Sequence, residues 1–293
     1  MKSTTKNVRE LSHSQNFLKS SEFVRSLINK TTISDKDLII EIGSGKGIIT
    51  SELAKKADKV IGIEYDHQLA IDLKSKFSDN SRIEIIEIDF LKWELPKQSY
   101  KVFANIPFNM TADIVNKLSN SLIPPKAAYL IMQNKAAERF TGRPVSVNTQ
   151  ISILLQPFYR MSVLASIDQK QFEPVPSVGV VLVGFEKRDD PVINFEYRQI
   201  YRDFVIYGYN QWQPTLLDAF KEVFSNKQLG IVSRNLGISG KKPSEVTVQD
   251  WVKMFNTFIK FVPDDKKNIV LGAEKRLRLL QKGIEKRHRT GAK

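Results

Sequence analysis

Asn105-Ile106-Pro107-Phe108 lies where a short apolar run, Tyr100 to Ala104, gives way to Thr111-Ala112-Asp113-Ile114-Val115, the start of a helical pattern. These residue types suit one demanding task. An exocyclic amine on an aromatic base is a poor nucleophile because its lone pair is delocalised into the ring. The Asn105 side-chain oxygen and the Ile106 backbone carbonyl can accept its two hydrogens and turn the lone pair toward an electrophile. Pro107 sets the bend that aims the carbonyl, and Phe108 offers a face on which an extruded base can stack. The same residues also fit a plain corner, with a turn proline, a core phenylalanine and Asn109 or Thr111 capping the helix. Turn chemistry alone does not choose between these two readings.

Three other sites bear on the choice. Gly43-Ser44-Gly45-Lys46-Gly47 directly follows the apolar run Leu38-Ile39-Ile40-Glu41-Ile42. Glycines at alternate positions after a buried strand let backbone amides approach a ligand at a helix N-terminus. The loop is not a phosphate-binding P-loop, because Lys46 is followed by Gly47 rather than Ser or Thr. It is not the dinucleotide fingerprint either, because Ile48 stands where the third glycine belongs. Glu64 ends the next strand and can accept from both ribose hydroxyls. Asp89 ends the third and can accept from an adenine amino group. An adenosine ligand without phosphates, S-adenosylmethionine, needs this order of acids and glycines. Its sulfonium supplies a methyl group that an oriented amine can take without a general base, the product losing its proton after transfer.

The elements that must position these residues alternate. Strands are expected over 38–42, 59–63, 83–88, up to 105 and over 127–132, with helices between them, one capped by Ser20 or Ser21 and another by Asp66. That alternation predicts a doubly wound α/β sheet. Segments 159–165 and 178–185 read as further strands that close the sheet with an antiparallel edge pair. Beyond Lys187 the pattern is helical, over 197–204, 215–224, 231–236 and 248–261. The expected organisation is a catalytic domain over 1–187, a smaller all-helical RNA-binding domain over 188–262 and a basic extension over 263–293. Near the N-terminus, Phe17 and Leu18 can pin a polar arm to the body while Gln15 and Asn16 face a ligand.

Composition narrows the class. The chain has 293 residues, no cysteine and three scattered histidines, so neither disulfide, thiolate nor metal-cluster chemistry is expected. No apolar run approaches the length of a membrane span, and no signal-peptide pattern opens the chain, so a cytoplasmic protein is expected. The net charge is +13, and from Glu274 to Lys293 eight Lys and Arg face two acids. A soluble protein with bunched basic charge points to a polyanion, most often nucleic acid, held through phosphate contacts.

Ser12-His13-Ser14-Gln15-Asn16-Phe17-Leu18, Glu41-Ile42-Gly43-Ser44-Gly45-Lys46-Gly47, Ile63-Glu64, Asp89, Asn105-Ile106-Pro107-Phe108-Asn109 and Phe172-x-Pro174-x-Pro176-x-Val178 appear in order. Together they resemble the ribosomal RNA adenine N6-dimethyltransferases over roughly residues 7–187. The resemblance implies a Rossmann-like methyltransferase fold, S-adenosylmethionine as cofactor, and cofactor contacts at Gln15, Asn16, Leu18, Gly43, Gly45, Glu64, Asp89 and Asn105. It places Phe172 near the target base, a position equally suited to a core residue before a proline turn. Arg139 and Arg143 are expected to hold the RNA backbone. Ser-His-Ser before Gln-Asn-Phe, and Asn-Ile-Pro-Phe-Asn, look more like the Erm branch, which modifies large-subunit rRNA, than the KsgA branch, which dimethylates two adjacent adenines of small-subunit rRNA. A tyrosine is common in the Erm pattern where this chain has Phe108, so the stacking face is kept and a hydroxyl is not needed. The expected partner is 23S rRNA before full ribosome assembly, met by a monomer with no metal and no membrane contact. A non-catalytic RNA-binding protein that kept the fold is the third reading.

Overall fold

The computed structural model describes residues 16–290, with side chains up to Gln281. The described chain divides into two compact units. One comprises residues up to Ala137 with Arg160–Lys187, and the other comprises Glu138–Tyr159 with Arg188 onward.

The strands in chain order are β1 (Phe17–Leu18), β2 (Leu38–Ile42), β3 (Lys59–Glu64), β4 (Ile83–Glu87), β5 (Lys101–Asn105), β6 (Ala127–Gln133), β7 (Tyr159–Ile167), β8 (Phe172–Glu173) and β9 (Val180–Lys187). Seven of them form one sheet in the order β4-β3-β2-β5-β6-β9-β7. Strands β2, β3, β4, β5 and β6 run parallel, and β9 pairs antiparallel with β6, from Ala127 opposite Glu186 to Gln133 opposite Val180. The two closing strands read from sequence, β7 and β9, are neighbours at this edge of the sheet. The core of this unit packs Leu27, Ile39, Leu53 and Val60 with Phe103, Tyr129, Ile131 and Leu182, all buried.

The chain builds outward from β2 through β3 to β4, then returns to lay β5 on the other side of β2. Two loops therefore diverge at the carboxyl ends of β2 and β5, which is where doubly wound sheets open a crevice for ligands. Register sharpens this. Glu41 is level with Phe103, so Gly43 and Asn105 leave the sheet at the same height. The flanking helices begin as their sequences dictate. Ser20 Oγ accepts from the Phe23 amide and starts Ser21–Ile28, while Asp66 Oδ1 accepts from the Leu69 amide and starts His67–Lys76.

The second unit is helical and is organised on an aromatic cluster. The Phe204 ring lies 4.5 Å from Phe220, 5.0 Å from Phe258, 5.5 Å from Phe255 and 6.0 Å from Trp251. Gly208 permits this density, since a Cβ there would stand 2.7 Å from the Phe220 ring. The segment expected as one helix over 215–224 is helical only at Leu216–Ala219. Val223 and Phe224 leave the helical path to bury their side chains, and Ser225 restarts a helix over Asn226–Leu236 through a capping box with Gln228. A further helix, Gln150–Leu155, was not foreseen, although Thr149 and Ser152 form its capping box. Among the described residues no helix is long and apolar enough to cross a membrane.

The basic C-terminal helix, Ala273–Thr290, starts from a buried charge network in this unit. Asp203 accepts from the Gly272 and Glu274 amides at the helix start. The Glu274 carboxylate accepts from Arg202 Nε at 3.1 Å and Nη2 at 2.7 Å, and from Gln199 and Arg278. Burial pushes its carboxyl up, but the Arg202 guanidinium and the other donors outweigh burial and bring the pKa down to about 2. The stability this adds is complete above the ordinary value of 4.5 and is lost as pH falls toward about 2. Glu274→Gln leaves Arg202 buried without its counter-charge. Chemical denaturation followed by Trp251 emission should show the helical unit destabilised by about 3–5 kcal/mol near neutrality, with a flatter acid limb.

Candidate active site

Asn16, Phe17, Gly43, Gly45, Asn105, Ile106, Pro107 and Phe108 line one pocket in the first unit, with about 420 Å³ of space open to solvent. Each wall has a local cause. Gly43 and Gly45 adopt φ of +74° and +54°, a left-handed path that favours glycine. A Cβ at Gly43 would meet nothing within 4 Å, so its absence leaves room on the pocket side. A Cβ at Gly45 would stand 2.7 Å from the Phe17 ring, so the N-terminal arm can lie on the loop only because Gly45 has none. The arm is fixed by its pairing with β8, where Phe17 is opposite Glu173 and Leu18 opposite Phe172.

The arm also orients the amide of Asn105, whose Nδ2 donates to the Asn16 carbonyl at 2.7 Å. A carbonyl can only accept, so the nitrogen end of the amide must face the arm and Oδ1 is the end left for a ligand. Behind it the Ile106 amide donates to the Ile131 carbonyl at 3.3 Å, and the Ile106 side chain is buried. Pro107 has φ −58°, and Phe108 opens a short 3-10 turn, half-buried against the core and lining the pocket. The capping expected of Asn109 or Thr111 is not observed. Met110 takes the cap position without a side-chain bond, and the Thr111 hydroxyl donates to the Phe108 carbonyl instead.

Acidic groups lie behind and beside the glycine loop. Glu64 is buried, and its carboxylate accepts from the Gly45 amide at 2.8 Å through Oε2 and from the Tyr65 and Asp66 amides through Oε1. Three acceptor positions are thus taken by backbone amides, and Oε2 keeps the capacity for a further donor. Asp89 is half-buried, accepts from the Leu91 amide through Oδ1 and is not among the residues lining the pocket. The loop after it is held by Lys117, whose Nζ donates to the Leu91 and Trp93 carbonyls. Burial lowers the Lys117 pKa, opposed by Asp89.

Sequence reasoning passed over Glu41 as a working residue. It is the one charge in the apolar run of β2, and that anomaly is the signal. Glu41 is fully buried, and Oε2 accepts from the Ser44 hydroxyl at 3.2 Å and the Thr50 hydroxyl at 2.5 Å. It thereby ties the glycine loop to the helix that follows. Oε1 has no partner. Desolvation by burial dominates over these donors, with Glu64 adding to it, and the pKa rises to about 8.

Four other expected site residues, Phe172, Leu18, Arg139 and Arg143, are not among those lining the pocket. Phe172 is 0% exposed and packs in the hydrophobic core, so it supports the β1–β8 pairing and has no free face for a base. The Leu18 side chain is buried in that core too, leaving only its backbone for a cofactor contact. Gln15 lies outside the described residues. Arg139 and Arg143 are exposed and belong to the second unit.

A model of the ribosomal RNA adenine dimethylase family matches residues 6–260, and the chain belongs to that family. Among its relatives, an rRNA adenine N-6-methyltransferase of Bacillus licheniformis is 25% identical over 257 residues, covering 86% of this chain and 88% of that protein. A ribosomal RNA small subunit methyltransferase A of Clostridium perfringens is 29% identical over 221 residues, covering 73% and 78%. Among solved structures, the 23S rRNA methyltransferase ErmE is similar in fold, with TM-score 0.74 at 22% identity over 84% of this chain and all of that one. The fold is the Rossmann-like fold of the S-adenosylmethionine-dependent methyltransferases, and the chain is an rRNA adenine methyltransferase that takes its methyl group from S-adenosylmethionine. The room left at Gly43 and the acceptor capacity of Glu64 beside the loop fit that cofactor.

The buried Glu41 carboxyl makes a testable demand. Between its ordinary value of 4.5 and about 8 the unfolded chain has lost this proton and the folded chain keeps it. Stability should therefore fall as pH rises through that window and level off above it. Glu41→Gln keeps an acceptor for Ser44 and Thr50. Denaturation midpoints measured across the window should lose the part of the slope that Glu41 carries.

Proposed function

We propose that this chain methylates N6 of an adenine in 23S rRNA near the peptide exit tunnel and so confers resistance to macrolide, lincosamide and streptogramin B antibiotics. The observation that carries the chemistry is the orientation of Asn105, with Nδ2 on the Asn16 carbonyl and Oδ1 left to accept. In this reading Asn105 Oδ1 and the Ile106 carbonyl accept the two hydrogens of the target amine. Its lone pair then points along the pocket between Gly43 and Phe108. Phe108 stacks on the extruded base and keeps it out of water. Gly43, Gly45, Glu64 and the backbone at Asn16 and Leu18 hold the cofactor, and Asp89 receives its adenine. The bound cofactor supplies an electrophilic methyl group on a sulfonium. The exposed Arg139 and Arg143, the helical unit and the basic helix Ala273–Thr290 meet the RNA backbone.

The large-subunit target is supported by the Asn-Ile-Pro-Phe-Asn corner and by the likeness in fold to ErmE. The small-subunit reading has its own support in the relative from Clostridium perfringens, whose name assigns it to that subunit. Mass spectrometry of both rRNAs from cells expressing the chain separates them. Methylated adenine in 23S rRNA is the expected result, and modification confined to 16S rRNA assigns the second reading. For the mechanism, Asn105→Ala should abolish methyl transfer, a fall of about 10² or more, while calorimetry shows cofactor binding largely kept. An Asn105→Ala enzyme with near-normal turnover removes Asn105 from the chemistry.

A further inference from the structure

Trp212 is 98% exposed, whereas Trp251 is fully buried and Trp93 half-buried. Its backbone is as unusual as its exposure. With φ +54° it is the one non-glycine residue recorded on the left-handed side among the described residues, a conformation that bulky L side chains rarely adopt. Strain of this kind persists only where the surroundings impose it, and it gathers at functional positions. Here the chain on both sides of Trp212 is anchored. Asn210 ends the helix Arg198–Tyr209, and its Nδ2 donates to the Ile206 carbonyl at 2.7 Å and to Gln150 Oε1 at 2.9 Å. On the other side Thr215 caps the next helix, and the Leu216 amide donates to the Lys241 carbonyl at 2.9 Å. The loop 211–214 is thus tied at both ends, and its one aromatic side chain is held out into solvent.

The same ties gather basic side chains. Besides the Leu216–Lys241 bond, the Tyr209 hydroxyl donates to the Pro243 carbonyl. Asn148 joins the 142–149 loop to the 240–247 loop, its Nδ2 donating to the Val246 carbonyl at 3.1 Å and its Oδ1 accepting from the Arg143 amide at 3.0 Å. Three loops of the helical unit are therefore linked, and they carry Trp212, Arg143, Lys241 and Lys242. The single acid in these loops, Glu245, is engaged by the Lys242 amide at 2.7 Å. An exposed aromatic face among cations, with little opposing charge, matches single-stranded nucleic acid, in which bases stack on rings while phosphates meet Lys and Arg.

We propose that Trp212 is a stacking platform for an unpaired base of the RNA substrate, with Arg143, Lys241 and Lys242 holding the adjacent phosphates. The site is distinct from the methyl-transfer pocket. It rests on the proposed action on rRNA, because that is what makes the occupant RNA. The occupant is unpaired because every base in a single strand offers a π-face, whereas a duplex hides it.

The test uses the full chain, a short labelled single-stranded RNA and the same strand in a duplex. Trp212→Asn removes the ring and suits the left-handed backbone, so it should unfold at the same or a higher temperature than the parent. It should bind the single strand about 5- to 100-fold more weakly with duplex binding little changed, and Trp212→Tyr should recover most of the loss. Lys242→Ala should make the salt dependence of binding shallower by about one unit of slope. A Trp212→Asn chain that binds the single strand within about twofold of the parent overturns the proposal. So does an indole emission that responds to anionic phosphatidylglycerol vesicles and not to RNA. Methyl transfer to rRNA by the parent, measured alongside, judges the functional reading separately. A parent that methylates rRNA while Trp212→Asn binds RNA normally leaves that reading standing and removes this one.

Discussion

The candidate site depends on one hydrogen bond, from Asn105 Nδ2 to the Asn16 carbonyl. A primary amide has a donor end and an acceptor end of nearly equal shape, and only its surroundings decide which way it points. Here a backbone carbonyl decides, and it is brought into place by segments far apart in sequence. The arm reaches the pocket because Leu18 is buried, because β1 pairs with β8, and because Gly45 leaves space for the Phe17 ring. Phe172, expected to meet the substrate, is the buried partner opposite Leu18. Its contribution is to the position of the arm.

The glycine loop on the other side of the pocket is held by acids of different character. Glu64 is buried yet surrounded by three amides. Those donors replace the water that burial removes, and Oε2, which takes only one of them, keeps room to accept another. Glu41, two residues before the loop, has two hydroxyl donors and one orphaned oxygen, so burial prevails and it keeps its proton to about pH 8. A neutral Glu41 anchors Ser44 and Thr50 through its accepting Oε2. The two carboxyls thus differ in their local donors, Glu41 tying the loop to the helix after it and Glu64 accepting from three backbone amides.

The sheet was legible in the sequence because its strands are continuous apolar runs that end in polar, chemistry-bearing residues. Gly43, Glu64, Asp89 and Asn105 each follow or end such a run, and a doubly wound topology has few ways of arranging those ends. The helical unit was less legible. Its helices are broken by burial rather than by composition. Phe220, Val223 and Phe224 carry helical spacing, but the aromatic cluster around Phe204 draws them out of one continuous helix. The helix Gln150–Leu155 is too short for periodicity to register, and only its capping box announces it. At the site, residue type identified Asn105 as an acceptor, but no sequence spacing could show which end of its amide is tied, because its partner is a backbone carbonyl 89 residues away. Glu41 opens the glycine-loop motif, but residue type alone gives it no role there, and its meaning comes from the depth at which the fold buries it.

The most direct test of the central claim is the single-turnover methylation rate of Asn105→Asp on an rRNA substrate, with both substrates saturating. Aspartate keeps the accepting oxygens and removes the donor, so it can receive a base amine but cannot be held by Asn16, whose carbonyl it would repel. If the tie to Asn16 sets the geometry of transfer, the rate should fall by about 10², the scale of a small misplacement of a reacting group. A rate equal to that of the parent would show that acceptor capacity at position 105 suffices and that the orienting bond has no part in the chemistry.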